Sequence, residues 1–195
     1  MQLDLIILEG DKKDLFIISD VHHEAPTTDT AEEGFFTRVF HKVQQAYAAL
    51  EKRFDYQENV CATLRHASEL LILHSPDIDP DKAGERFTRF LDRCQRKHSR
   101  WFWVDLVLAL LGSLLTPIPG PNVFFLYPAA RSLGHYFALT GARNARQLEV
   151  VSYKMESRLN RIRGNLNHLD KVGLEIEELQ ELYGFSKLRA LLERL

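Results

Sequence analysis

LVLALLGSLLTPIPGPNVFFLYPAA, residues 106–130, contains no Asp, Glu, Lys or Arg, although 27% of the chain is charged. How this stretch folds decides the architecture. A single helix of that length would run ~37 Å, more than the ~30 Å of a bilayer core. The knot Pro117-Ile118-Pro119-Gly120-Pro121 at its centre forbids one. Each proline removes a backbone donor, and Ile118 and Gly120, which precede prolines, are pushed out of the helical region. The stretch predicts two apolar helices joined at the break Pro117, Pro119, Gly120 and Pro121. Such a hairpin is seated either in lipid or in the protein's own core.

Upstream, Gln2–Leu8 and Leu15–Val21 are rich in Ile, Leu and Val and flank the turn-forming residues 9–13, a β-hairpin signal. A polar linker covers 22–28. Thr30 and Glu33 form a capping box, and Phe36, Val39, Phe40, Val43, Tyr47 and Leu50 recur at helical spacing behind it. A second helix is predicted over Gln57–His74, with Val60, Leu64, Ala67 and Leu71 on one face. Residues 75–80 break it; Asp79 caps the next helix and Pro80 takes its first position. In that helix Phe87, Phe90, Leu91, Cys94 and Trp101 make one stripe. Arg86, Arg89, Arg93, Arg96, Lys97 and Arg100 crowd the remainder, a basic amphipathic helix suited to anionic headgroups or to a solvated face.

Beyond the apolar stretch, Gly141 is expected to end the helix, and Arg131, Arg143 and Arg146 restore positive charge, so both ends of the hairpin are basic. Residues 148–154, LEVVSYK, read as a short third strand beside the N-terminal hairpin. Leu159, Ile162, Leu166 and Leu169 then mark a helix, the acidic segment 174–183 another ending at Gly184, and Ser186 caps a final Leu-rich helix. The fold class is α+β, predominantly helical: a small antiparallel sheet plus a bundle with the proline-broken hairpin. Four segments follow within one domain: 1–29 (β-hairpin and linker), 30–100 (amphipathic helices), 101–141 (apolar hairpin) and 142–195 (short strand and C-terminal helices).

Composition narrows the function. A net charge of −2 gives no global reason to expect nucleic acid, and the acidic first member of the C-terminal helix pair disfavours a DNA-reading helix-turn-helix. Mean hydropathy of −0.23 is that of a soluble chain. Cys61 and Cys94 lack ligand spacing and read as buried, reduced thiols. No signal or transit peptide is evident at the N-terminus.

Ser19-Asp20-Val21-His22 ends a strand as the first metal-binding motif of a metal-dependent phosphoesterase does. The other ligand motifs such a two-metal site needs are missing, and the alternating Asp77, Asp79 and Asp81 lack the Gly and Glu of a calcium loop. Nothing argues for catalysis, a metal or a cofactor. The remaining constellation is Asp105, Asn122, Arg131 and His135. If the hairpin folds about residue 119, Asp105 lies 14 positions before the tip and Arg131 12 after it, at similar heights on facing helices. His135, one turn on, titrates near neutral pH and is a candidate to sense or pass a proton; Asn122 offers an amide beside broken backbone. The plainer reading makes Asp105 and Arg131 the water boundary, with Trp101, Trp103, Tyr127 and Tyr136 as an interfacial belt.

Three runs carry a resemblance: Arg96-Lys97-His98-Ser99-Arg100-Trp101-Phe102-Trp103-Val104-Asp105, then Pro117-Ile118-Pro119-Gly120-Pro121-Asn122, then Tyr127 followed by Arg131-Ser132-Leu133-Gly134-His135-Tyr136 and Gly141-Ala142-Arg143. Across residues 97–146 the chain resembles the mitochondrial K⁺–H⁺ exchange-related family and its bacterial relatives. The resemblance implies a membrane-associated protein linked to potassium–proton exchange and assigns no ion-binding residues. With no transit peptide evident, a bacterial member on the cytoplasmic side of the inner membrane is expected, or the mitochondrial inner membrane in a eukaryote. Expected partners are anionic headgroups and, if ions are to pass, further copies or transporter subunits. The alternative is a soluble helical interaction protein whose hairpin is buried.

Overall fold

The computed structural model describes residues 1–8, 14–19, 56–114 and 123–193. The predicted turn at 9–13, the linker, the capping-box helix, Asp20 and His22 of the phosphoesterase-like motif, and the tip with Pro117, Pro119, Gly120, Pro121 and Asn122 lie outside them.

Strands β1 (Gln2–Leu8) and β2 (Leu15–Ile18) pair antiparallel, Leu5 opposite Ile18, as the sequence predicts. The next element departs from expectation. Helix α1 covers only Tyr56–Thr63, a 3₁₀ turn follows at Leu64–His66, and Glu69–His74 is a strand, β3. Ala67 is extended (φ −70°, ψ 132°), which ends the helical run. β3 pairs parallel with β1, Leu5 opposite Ile72, and β4 (Val150–Met155) pairs parallel with β3, Ile72 opposite Tyr153. The strand order is β2-β1-β3-β4. The sheet is therefore mixed rather than antiparallel, and the short strand at 150–155 lies at the far edge, separated from β2 by β1 and β3.

Consecutive residues Leu5, Ile6 and Ile7 are all fully buried because helices cover both faces. On one face Leu3, Leu5, Ile7, Phe16, Leu70 and Ile72 pack with α1 and with the two long helices α2 (Pro80–Ser113) and α3 (Val123–Gln147). On the other, Ile6, Leu8, Ile17 and Leu73 meet α4 (Ser157–Gly164), α5 (Gly173–Tyr183) and α6 (Leu188–Leu192). Lys187, not Ser186, stands at the N-cap of α6.

The α2–α3 hairpin is the crossover between the parallel strands β3 and β4. Such a connection must traverse the sheet and is normally helical; here it overshoots. Asp79 caps α2, its Oδ1 accepting from the Asp81 amide at 3.1 Å, and Pro80 fills the first turn. From there α2 runs 34 residues without a break, through the point where charge gives way to apolar residues. At ~1.5 Å per residue it extends ~51 Å. Only its first half touches the sheet cluster, through Ala83, Phe87, Phe90, Leu91 and Cys94. Phe16 stacks on Phe90 with ring centroids 4.1 Å apart. Trp101, expected on this stripe, is 43% exposed, since the helix has by then left the sheet.

The base of the hairpin is fixed at α1. Cys61 and Cys94 are joined in a disulfide between α1 and α2, which corrects the expectation of reduced thiols: packing α1 across α2 brings together two residues 33 positions apart. Asn144 of α3 donates from Nδ2 to the carbonyls of Leu64 (2.9 Å) and Ala67 (2.8 Å), satisfying the end of the 3₁₀ turn. Replacing Asn144 by Ala removes both bonds and leaves the Leu64 carbonyl only the Ala67 amide, at 3.3 Å. The expected loss is about 1–3 kcal/mol in urea denaturation, with the helical signal of the folded baseline unchanged.

Candidate functional site

Past the sheet, among the described residues, α2 and α3 bury against each other. The inward positions of α2 are His98, Asp105, Ala109 and Gly112, spaced by seven, four and three residues along one helix face. Along the same stretch α3 buries Ala130, Ser132 and His135. Small residues let the axes close in. A Cβ on Gly112 would lie 2.1 Å from the Phe124 carbonyl oxygen, so the backbones touch there.

Three ionisable groups are sealed in this seam. His98 is 1% exposed, Asp105 3% and His135 4%. Asp105 Oδ2 lies 3.5 Å from Arg131 Nε and 3.3 Å from His135 Nε2. His135 Nδ1 lies 2.8 Å from His98 Nδ1 on the facing helix. The groups thus form a line, carboxylate to imidazole to imidazole, crossing from α2 to α3 and back. A nitrogen pair at 2.8 Å needs one proton between its members, so one imidazole donates from Nδ1 and the other accepts. With Asp105 facing Nε2 of His135, the consistent assignment puts the His135 proton on Nε2 and makes His98 the donor. Asp105 Oδ2 and His135 Nε2 themselves lack a hydrogen-bond partner in this arrangement, so their contact is electrostatic.

Arg131 closes the line at the surface. Its guanidinium sits 5.6 Å from the Trp101 ring and 5.8 Å from the Tyr127 ring, within cation–π range. It offsets part of the Asp105 charge, which weakens the pull of that carboxylate on a proton at His135. Burial pushes the His135 imidazole down from 6.5 to about 4; the neighbouring His98 and Arg131 act in the same direction, while Asp105 and Glu58 oppose it. At neutral pH His135 is uncharged.

The structure brings Asp105, Arg131 and His135 together as the sequence predicted, and Asn122 lies outside the described residues. His98 was missed. Its signal was its position, seven residues before Asp105 on the same helix face. Of the residues expected at a membrane surface, Arg93, Arg96 and Arg100 are exposed, as are Trp101 and Trp103. Lys97 pairs with Glu58 of α1 at 2.7 Å, and Arg89 reaches Glu85 at 4.0 Å. Arg86 sits far from the apolar half and is tied to Asp14 at 2.8 Å. Among the described residues no group of three or more His, Cys, Asp or Glu could hold a metal ion. Nor is any described helix long and apolar enough to cross a membrane.

Comparison with curated proteins and with solved structures returns no match. The sequence model of one family does match, over residues 21–149, about two thirds of the chain, and that span holds the whole of α2 and α3 and every member of the buried line. The chain belongs to the mitochondrial K⁺–H⁺ exchange-related family.

Proposed function

We propose that the protein works at a membrane surface as a non-enzymatic regulatory or accessory component of monovalent cation–proton balance. The membrane is the mitochondrial inner membrane in a eukaryotic host and the cytoplasmic face of the inner membrane in a bacterium. One observation carries the reading: the distal half of the hairpin turns its apolar residues outward. Trp103 is 62% exposed, Leu110 63%, Leu111 57%, Leu114 73% and Phe124 65%. Large apolar side chains left exposed together on one hairpin mark an interaction site.

Lipid is the favoured occupant. From Trp103 to Ser113 the helix rises ~15 Å, half the ~30 Å core of a bilayer, which suits insertion into one leaflet. Arg93, Arg96, Arg100 and Arg131 ring the hairpin just behind the apolar part, and each basic group near an anionic surface contributes about 1 kcal/mol. Trp101, Trp103, Tyr127 and Tyr136 occupy the boundary between the two zones, where amphipathic rings favour the headgroup layer. A single hairpin does not enclose an ion pathway, hence the accessory role.

Liposome flotation tests the docking. The protein is expected to rise with vesicles containing anionic lipid and several-fold less with zwitterionic vesicles; Leu110→Glu/Leu111→Glu is expected to stay in the dense fraction. A wild-type chain that stays there too, or a double variant that floats equally well, overturns it. A concentration-dependent dimer abolished by the same pair of substitutions would make a second copy the occupant instead. The cation-balance reading is tested separately by potassium-driven proton flux in membrane vesicles from cells with and without the chain. Equal flux removes it.

A further inference from the structure

The buried line in the hairpin has a property that a purely structural seam would not need. Two imidazoles meet Nδ1 to Nδ1 at 2.8 Å, one from each arm, and a carboxylate stands behind one of them. Packing alone would be served by apolar residues, since a buried polar pair costs desolvation that an apolar contact avoids. We propose that His98, His135 and Asp105 form a proton-binding site strung across the two arms, filled by one proton shared between the imidazoles, and that a second proton parts the arms.

The stoichiometry follows from donor counting. The neutral pair has one Nδ1–H donating to one bare Nδ1. A proton taken from solvent converts one imidazole to imidazolium, and the N–H···N contact survives as a charge-assisted hydrogen bond. A second proton leaves an N–H on each Nδ1. Two donors and two positive charges then face each other at 2.8 Å, and the contact turns repulsive.

Among the described residues, four charged groups bear on the pair. From α2 come Asp105, which attracts the proton, and Lys97; from α3 comes Arg131, which offsets part of Asp105; from α1 comes Glu58, held by Lys97 at 2.7 Å. Asp105 and Glu58 each have a cationic partner, and burial, the largest effect at His135, sets the proton affinity of that ring low. The site therefore responds to acid rather than holding a proton at neutral pH. Groups coupled this closely titrate in steps that belong to the pair.

This site stands whether or not the hairpin tip enters lipid, and its test uses lipid-free protein. Histidine labelled with ¹⁵N reports tautomer and titration of each ring by NMR. At pH 7.5 one ring should carry its proton on Nδ1 and a second on Nε2, joined by a coupling across the shared hydrogen bond. On acidification the two should move together, with a midpoint below that of the exposed histidines. In His135→Gln the His98 ring should lose this shared behaviour and titrate alone. Two rings that titrate independently in the wild type overturn the shared site, and that measurement needs no variant to fold.

Arm separation is read from hydrogen exchange of the 98–110 and 128–138 amides. Relative to the intrinsic amide rate at each pH, opening of both segments should rise at least tenfold as the second proton binds, and should be unaffected by pH in His98→Gln/His135→Gln. Unchanged protection in the doubly protonated wild type overturns the parting of the arms.

Discussion

Gly141→Ala is expected to destabilise the protein by about 3 kcal/mol or more, lowering Tm by roughly 10 °C for a domain of this size. A Cβ built at Gly141 lies 1.8 Å from the Cys61 carbonyl oxygen and 3.0 Å from the Arg65 amide nitrogen. Both are backbone atoms, so no rotamer change relieves the overlap and α1 must move away from α3. It is poorly placed to do so. The disulfide from Cys61 ties α1 to α2, Asn144 holds the carbonyls at the end of its 3₁₀ turn, and the Arg65 guanidinium lies 3.9 Å over the Phe137 ring. All three links would be strained by the same displacement. Gly173→Ala is the control: that glycine is helical, with nothing within 4 Å of the added methyl, and its substitution should leave stability equal or slightly improved. Thermal denaturation of the two variants decides the matter, and equal melting temperatures would mean that α3 does not pack on α1 as described.

The proline knot and its apolar flanks were legible because a helix cannot pass through Pro117–Pro121, and the described helices do stop at Ser113 and resume at Val123. Counting outward from the knot places Asp105 opposite Arg131, where the two meet at 3.5 Å. What failed is equally physical. The run Glu69–His74, ELLILH, has apolar residues at positions that fit a helix as well as a strand. Its strand character comes from parallel pairing with β1 and β4, partners 67 and 81 residues away in register, and a strand buried on both faces loses the alternation that would betray it. The antiparallel expectation for the sheet fell with the same error, since a two-strand hairpin gives no hint of a third strand entering parallel beside it. The disulfide was hidden for a related reason: Cys61 and Cys94 meet only because α1 crosses α2. His98 was lost among Arg96, Lys97 and Arg100, where a basic run suggests a solvated face. Only its register with Asp105 and His135 sets it apart, and register across a hairpin depends on where the tip falls.

Between pH 7.5 and 4.5 the wild-type protein is expected to lose about 2–3 kcal/mol more stability than His135→Gln does. The sign comes from which state binds the proton. In the unfolded chain His135 titrates at its ordinary 6.5, while burial in the α2–α3 seam lowers it to about 4 in the folded protein. Between those values the unfolded state binds more protons, so stability rises with pH. The contribution is fully present above 6.5, is lost as the pH falls, and levels off below about 4; the 2.5-unit gap corresponds to ~3 kcal/mol at its limit. The carboxylates and the histidines outside the pair add a pH dependence common to both proteins, which cancels in the difference; His98, coupled to His135, does not cancel, and its titration read by NMR in each protein supplies its share. Glutamine fits the site in volume, keeps a carbonyl oxygen to accept from His98 Nδ1, and does not titrate. Urea denaturation of both proteins at several pH values reads the slope directly. The opposite outcome is also informative. If Asp105 rather than burial governed the ring, the folded constant would lie above 6.5 and stability would fall as pH rises through it. The direction of the slope therefore decides whether the Arg131–Asp105 pair is closed, as its 3.5 Å contact indicates, or leaves the carboxylate free to hold a proton on His135.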